Sequence, residues 1–145
     1  LIVYVDATVL VTLIKHEDSS DSVIEYLDDL AEDDHPLVAG QLVETELRRV
    51  ANRFSVDQSS VQPVLERVNL VDQTPADFRQ AGILQSRHLG TLDALHLATA
   101  IRTRATTMLT FDQRLAEASE ALGIRVLDVF IPRTLISGPH GRIST

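Results

Sequence analysis

The sequence predicts an α/β domain built on a parallel sheet with helices on both faces. Three observations support that class. Five short apolar runs alternate with longer amphipathic segments, the rhythm of successive strand–helix–strand units. The first run, Leu1-Ile2-Val3-Tyr4-Val5, is apolar at every position, as expected for a strand covered on both faces. The chain's 145 residues, 44% hydrophobic and 23% charged, suit one domain with a core of its own.

The first strand ends at Asp6. Val23, Ile24, Leu27, Leu30 and Ala31 recur at helical spacing and predict a helix over 20–33. Pro36 disfavours helix at His35, so Leu37-Val38-Ala39 reads as the second strand. A helix is expected over 41–54, with Val43, Leu47, Val50, Ala51 and Phe54 facing inward. Ser59 or Ser60 can cap the next helix. That helix carries Val61, Val64, Leu65 and Val68, and Pro63 falls in its first turn, where proline is tolerated. Residues 69–72 form the expected third strand. A helix over 75–87 leads to Gly90, and Thr91 is expected to cap a further helix running to about 104. Residues 107–110 are the fourth strand. Residues 113–122 read as a helix closed by Gly123 in the left-handed conformation that stops helices. Residues 125–130 are the fifth strand. Residues 132–145, polar with two glycines and two prolines, are expected to form a tail outside a domain of residues 1–131.

Composition excludes several functions. There is no cysteine, so disulfides, thiolate zinc sites and a cysteine nucleophile are ruled out, and a reducing cytosol is the expected location. No apolar run approaches the roughly 20 residues that cross a bilayer. The opening run is too short for a signal peptide and lacks its basic flank. Thirteen basic against 21 acidic residues leave a formal net charge of −8. Bulk attraction to phosphate is therefore a poor basis for function, whereas carboxylates gathered around a cation fit well.

In an open parallel sheet, ligands bind beyond the carboxyl ends of the strands. Asp6 follows the first strand and Asp112 the fourth. Asp93 lies in the first turn of the helix that opens Thr91-Leu92-Asp93, and Glu46 lies early in the helix after the second strand. A right-handed doubly wound sheet can bring all four to one edge. Four clustered carboxylates need a counter-ion. A hard divalent cation, Mg²⁺ or Mn²⁺, is the natural one, with Asp6, Asp93 and Asp112 as its expected ligands.

Each acid also has a purely structural use. Asp6 and Asp112 can cap helices, Asp93 suits a helix N-terminus, and Glu46 can pair with Arg49 or Arg53 on its own helix face. Thr8 and Thr110 can support the carboxylates or serve as ordinary turn residues. His96, one turn after Asp93, can orient that acid, touch substrate or pack as a hydrogen-bonded helix residue. Arg49, Arg53, Arg87 and His88 are candidate phosphate contacts around the acidic centre, or a solvated surface.

At these residues the chain resembles a known family. Tyr4-Val5-Asp6-Ala7-Thr8, Thr45-Glu46-Leu47-Arg48-Arg49, Leu92-Asp93-Ala94-Leu95-His96-Leu97-Ala98 and Thr110-Phe111-Asp112-Gln113-Arg114-Leu115 look like the four signature segments of PIN-domain proteins. More closely, they resemble the VapC toxins of bacterial toxin–antitoxin pairs. The Leu-Asp-Ala-Leu-His-Leu-Ala stretch with Thr-x-Asp twelve residues further on is the most specific part. The resemblance implies a three-layer fold with a parallel five-stranded sheet flanked by helices, and Mg²⁺- or Mn²⁺-dependent endoribonuclease activity. It implies Asp6, Glu46, Asp93 and Asp112 as the catalytic acids, with Thr8 and Thr110 in support. It prefers Glu46 over its neighbour Glu44, because Glu46 directly precedes Leu-Arg. It also implies a VapB-like antitoxin, an RNA substrate, and a homodimer that becomes a heterotetramer or larger assembly with the antitoxin. The antitoxin is expected to lay an apolar segment near Val23, Leu27 and Val43 and to push a basic side chain among the four acids.

Two other classes compete. A phosphoaspartyl phosphatase or receiver domain wants a second acid beside Asp6 and a late lysine to hold the phosphoryl group. Asp6-Ala7-Thr8 lacks the acid, and the only lysine, Lys15, comes early. A non-catalytic interaction domain has little reason to keep all four carboxylates.

Overall fold

A computed structural model describes residues 1–128 of the chain. The expected tail and the end of the expected fifth strand lie outside the described residues. Strands β1 (Val3–Val5), β2 (Leu37–Gly40), β3 (Asn69–Val71), β4 (Thr107–Leu109) and β5 (Arg125–Leu127) form one sheet in the order β3-β2-β1-β4-β5. Every pairing is parallel, with Val3 beside both Leu37 and Thr107 and Val5 beside Leu109. Between the strands run α1 (Ala7–Lys15), α2 (Ser20–Glu32), α3 (Leu42–Arg53), α4 (Val61–Leu65), α5 (Pro75–Ile83), α6 (Thr91–Arg102) and α7 (Gln113–Ala121).

The order explains the layering. Strand placement moves outward from β1 through β2 to β3, then jumps back to β4 and on to β5. Crossovers between parallel strands are right-handed, so a reversal of direction sends the later helices to the opposite face. The core divides accordingly. Val3, Val5, Leu37, Ala39 and Leu109 pack with residues of α1 to α4. Their neighbours in the strands, Tyr4, Val38 and Met108, pack on the other face with Leu97 and Ala100 of α6 and Leu115 and Ala118 of α7. The strand period of two thus feeds two apolar layers, and β1 is 0% exposed at all three of its residues.

Several expectations need correction. Residues 7–15 form α1, a helix beyond those expected. The segment Ala-Thr-Val-Leu-Val-Thr-Leu-Ile is apolar and β-branched and offers no amphipathic stripe. Six of its residues are buried because it lies between the sheet and its neighbouring helices. Phe54 is 50% exposed rather than inward; it is the C-cap residue of α3, and the Lys15 ammonium sits 4.6 Å from its ring centre. Asp57, not Ser59 or Ser60, provides the side-chain cap near α4: it accepts from the Ser59 N–H at the start of a 3-10 turn, Gln58–Ser60. Helix α5 stops at Ile83, short of 87. Gly90 occupies the N-cap of α6, which makes Thr91 the first helical residue. Gly123 does follow α7 with φ at 84°, in the left-handed region that favours glycine. Val23, Leu27 and Val43 are 0%, 1% and 0% exposed, so they are core residues and not a surface on which a partner segment can lie. No helix of the described residues is long and apolar enough to cross a membrane.

Candidate acidic site at the sheet switch point

The strand order reverses between β1 and β4, and this is where an open α/β sheet leaves a crevice beyond its strand ends. Asp6 leaves β1 there, and its backbone N–H donates to the Leu109 carbonyl of β4 at 2.9 Å. Its side chain, 1% exposed, caps α1. One oxygen, Oδ2, accepts the Thr8 N–H at 3.3 Å and the hydroxyls of Thr8 at 2.7 Å and Thr110 at 2.8 Å. Burying an ionised carboxylate is costly without such donors. The two hydroxyls also brace the turn after β4: Phe111 N–H donates to Thr8 Oγ1 at 2.9 Å, and Asp112 N–H donates to Thr110 Oγ1 at 3.0 Å. Thr8 and Thr110 therefore lock Asp6 to the loop that carries Asp112.

Asp112 is the N-cap of α7 and accepts through Oδ1 from Arg114 N–H at 2.8 Å and Leu115 N–H at 3.2 Å. Asp93 lies in the first turn of α6. Three helix N-termini, those of α1, α6 and α7, thus carry carboxylates, and the partial positive charge of each helix end favours them. The favour is incomplete. Asp93 is pushed up to about 6, first by partial burial, then by the charges of Asp6 and Asp112 and by a hydrogen bond to the Asp112 side chain, against the lowering effect of His96.

Glu46 reaches the cluster by another route. His96 of α6 is fully buried, and its Nε2–H donates to Glu46 Oε1 at 2.5 Å. Its Nδ1 lies 2.7 Å from the Tyr4 hydroxyl, which accepts the Gly40 N–H at 2.9 Å. Burial alone lowers the affinity of His96 for its proton, but the hydrogen bond and charge of Glu46, with Asp6 and Asp93 behind it, raise it on balance. Glu46 faces neither of the intrahelical arginine pairings expected as its structural use. Glu44 is engaged by Arg48, whose Nε donates at 2.9 Å, so the two glutamates of this segment have different partners. Of the three roles open to His96, contact with Asp93 is electrostatic only, and the direct partner is Glu46. Tyr4 was not singled out from the sequence; a tyrosine inside an otherwise aliphatic strand was the available signal, because its hydroxyl must find a partner when buried.

Arg49 and Arg53 are exposed on α3, while Arg87 and His88 are exposed in the segment that leads from α5 to α6. Lys15 lies at the far end of α1 and pairs with Glu17 at 3.1 Å, which removes it as a phosphoryl-holding lysine. Leu115 is fully buried, so the start of α7 adds no further acid there.

The donor set is all oxygen, which suits Mg²⁺ or Mn²⁺ over softer metals. Among the described residues no group of three or more acids or histidines is drawn up to the distances of a closed metal cage. An open arrangement still fits Mg²⁺, which keeps several waters and takes few protein ligands.

Comparison with known proteins places the chain in a family. The PIN domain model matches residues 3–121. Ribonuclease VapC35 of Mycobacterium tuberculosis is 33% identical over 130 residues, which cover 86% of this chain and 95% of that protein. Ribonuclease VapC46 of the same species is 32% identical over the same shares. Among solved structures, VapBC2 from Rickettsia felis bound to a promoter DNA fragment superposes with a TM-score of 0.64 at 21% identity, covering 88% of this chain and 98% of that one. VapC20 of M. tuberculosis, a sarcin-ricin loop cleaving toxin, gives a TM-score of 0.64 at 17% identity, covering 80% and 94%. With the family match running from β1 into α7, the chain belongs to the PIN domain family, in its VapC-type branch.

Proposed function

We propose that this chain is a divalent-metal-dependent endoribonuclease and the toxin of a VapBC-type toxin–antitoxin pair. The observation that carries the reading is the gathering of Asp6, Asp93 and Asp112 beyond β1 and β4, where burial and the charges of Asp6 and Asp112 push the Asp93 carboxyl up to about 6. Its relatives' names as ribonucleases support the same reaction class.

Asp6, Asp93 and Asp112 would hold the cation. A bound Mg²⁺ or Mn²⁺ neutralises charge on the phosphodiester and makes water a better nucleophile. Thr8 and Thr110 fix the Asp6 carboxylate through Oδ2 and leave Oδ1 free of hydrogen bonds from the described residues. Asp112 likewise caps α7 through Oδ1 alone. Glu46 would take the proton from the attacking water. Arg49, Arg53, Arg87 and His88 would contact RNA phosphates around the centre and offset the net charge of −8. Inhibition by a VapB-like antitoxin follows the same electrostatics: a guanidinium can pair two carboxylate oxygens at once. An RNA substrate, a homodimer and larger assemblies with the antitoxin belong to this reading.

The test is cleavage of labelled RNA by the purified chain. The expected activity requires Mg²⁺ or Mn²⁺, stops with EDTA, and leaves a 5′-phosphate and a 3′-hydroxyl. A 2′,3′-cyclic phosphate product would mean attack by the RNA's own 2′-hydroxyl and would overturn the mechanism.

A further inference from the structure

We propose that His96, held in turn by Tyr4 and Gly40, is a positioning residue that fixes the Glu46 carboxylate for the reaction; the proposal rests on the reading of the acidic cluster as a nuclease site. Glu46 has three side-chain torsions, and its side chain is 22% exposed. A glutamate left there samples many rotamers. His96 selects one of them, because its Nε2–H donates to Oε1 at 2.5 Å from a fully buried ring.

The ring is itself fixed. The Tyr4 hydroxyl contacts Nδ1 at 2.7 Å, and the two rings meet edge to face with centroids 5.8 Å apart. Tyr4 is 0% exposed and accepts the Gly40 N–H at 2.9 Å. With the imidazole neutral, the bonds form a directed chain: Gly40 N–H to Tyr4 oxygen, Tyr4 O–H to His96 Nδ1, His96 Nε2–H to Glu46. Every donor and acceptor in it is used when the imidazole is neutral, and Nε2 donates to Glu46 whether the ring is neutral or charged. Gly40 has no room for a side chain, since a Cβ there would lie 2.9 Å from the Tyr4 hydroxyl and 1.8 Å from Gln73 Nε2. The close approach of β2 to Tyr4 is thus built into the sequence. His96 cannot touch substrate from its buried place, so any contribution to catalysis runs through Glu46. Orientation of a reacting group is worth large factors, and small displacements lose them.

The experiment combines single-turnover cleavage of a labelled random-sequence RNA pool, at saturating protein and Mn²⁺, with ¹⁵N-histidine NMR of the metal-free full chain. His96→Leu should lower the rate about 10- to 100-fold with RNA affinity unchanged. His96→Gln, whose amide can still donate to Glu46, should recover most of that loss. His96→Leu added to Glu46→Gln should cost little beyond Glu46→Gln alone, because both changes remove the same element. Tyr4→Phe keeps the packing and should show a smaller loss of rate. The His96 Nε2–H resonance should move on Glu46→Gln, and the Nδ1 resonance on Tyr4→Phe. The proposal is overturned if wild type cleaves and His96→Leu cleaves equally well, if the two losses multiply independently, or if the Nε2–H resonance ignores Glu46→Gln. A wild type that cleaves no RNA with either metal, while the resonances respond as expected, would remove the nuclease reading and the proposal with it but leave the hydrogen-bonded chain standing.

Discussion

Asp6 shows how one residue serves folding and chemistry together. Its Oδ2 caps α1 and receives two threonine hydroxyls, so the capping use and the metal-holding use foreseen from the sequence are compatible. Asp6→Asn should keep the oxygen acceptor, remove a negative charge from the cluster, and abolish cleavage. Thermal melting should show a fold intact or slightly more stable. A variant that lost fold and activity together would make Asp6 structural. Asp93 gives a pH signature. Its carboxyl titrates near 6 in the folded chain, above its ordinary 3.8. A raised value means that the folded state holds the proton more tightly than the unfolded state. The favourable contribution is therefore full below about pH 4 and is lost as pH rises through about 6. In metal-free protein, Asp93→Asn should melt close to wild type at pH 4 and several degrees above it at pH 7, as paired melts would record. The four acids were legible from the sequence because each follows a strand or opens a helix in a recognisable segment. The chain from Tyr4 to Glu46 was not, because its members are 92 and 50 residues apart and meet only through the fold.

Among elements, α5 and α6 are joined by a clamp that was invisible in the sequence. Asp77, 2% exposed, completes a capping box with Thr74 at the start of α5. It also accepts from Arg102 Nε near the end of α6 at 2.8 Å, while Arg102 Nη2 donates to the Asp72 carbonyl at 2.7 Å. Burial alone would raise the Asp77 carboxyl, but Arg102 and Thr74 hold it below its ordinary value. Arg102→Ala would leave a buried carboxylate short of its partner, a loss of about 2–3 kcal/mol. Because the carboxyl is held low, the deficit should be full at pH 7 and shrink as pH falls below about 3.8, readable by urea unfolding. An equal deficit at all pH values would show that packing, and not the ion pair, joins the helices. Helix α1 marks the limit of pattern reading at this scale. Its buried residues, at positions 7, 9, 10, 12, 13 and 14, leave no polar stripe to set a period. The signal that survives is Asp6 followed by Thr8, a cap with a supporting hydroxyl.

Across the whole molecule, the parallel sheet and its two apolar layers are built around β1, which is apolar and buried at every position, and the functional edge follows from the reversal of strand order. The sequence pattern implied both. It could not supply the surface for a partner, since Val23, Leu27 and Val43 satisfy the helical stripe by being buried under the sheet's own helices. A net charge of −8 makes the acidic edge unwelcoming to RNA until a cation arrives. The central claim is that a divalent cation held by Asp6, Asp93 and Asp112 displaces the proton that burial and the neighbouring charges favour on Asp93. Calorimetric titration of the metal-free chain with Mn²⁺ near pH 6, repeated in buffers of different ionisation enthalpy, tests it directly. Binding with release of a proton is expected, with Asp6→Asn binding far more weakly and Asp93→Asn releasing no proton. Binding without proton release, or binding that survives Asp6→Asn unchanged, would place the cation elsewhere and contradict the account.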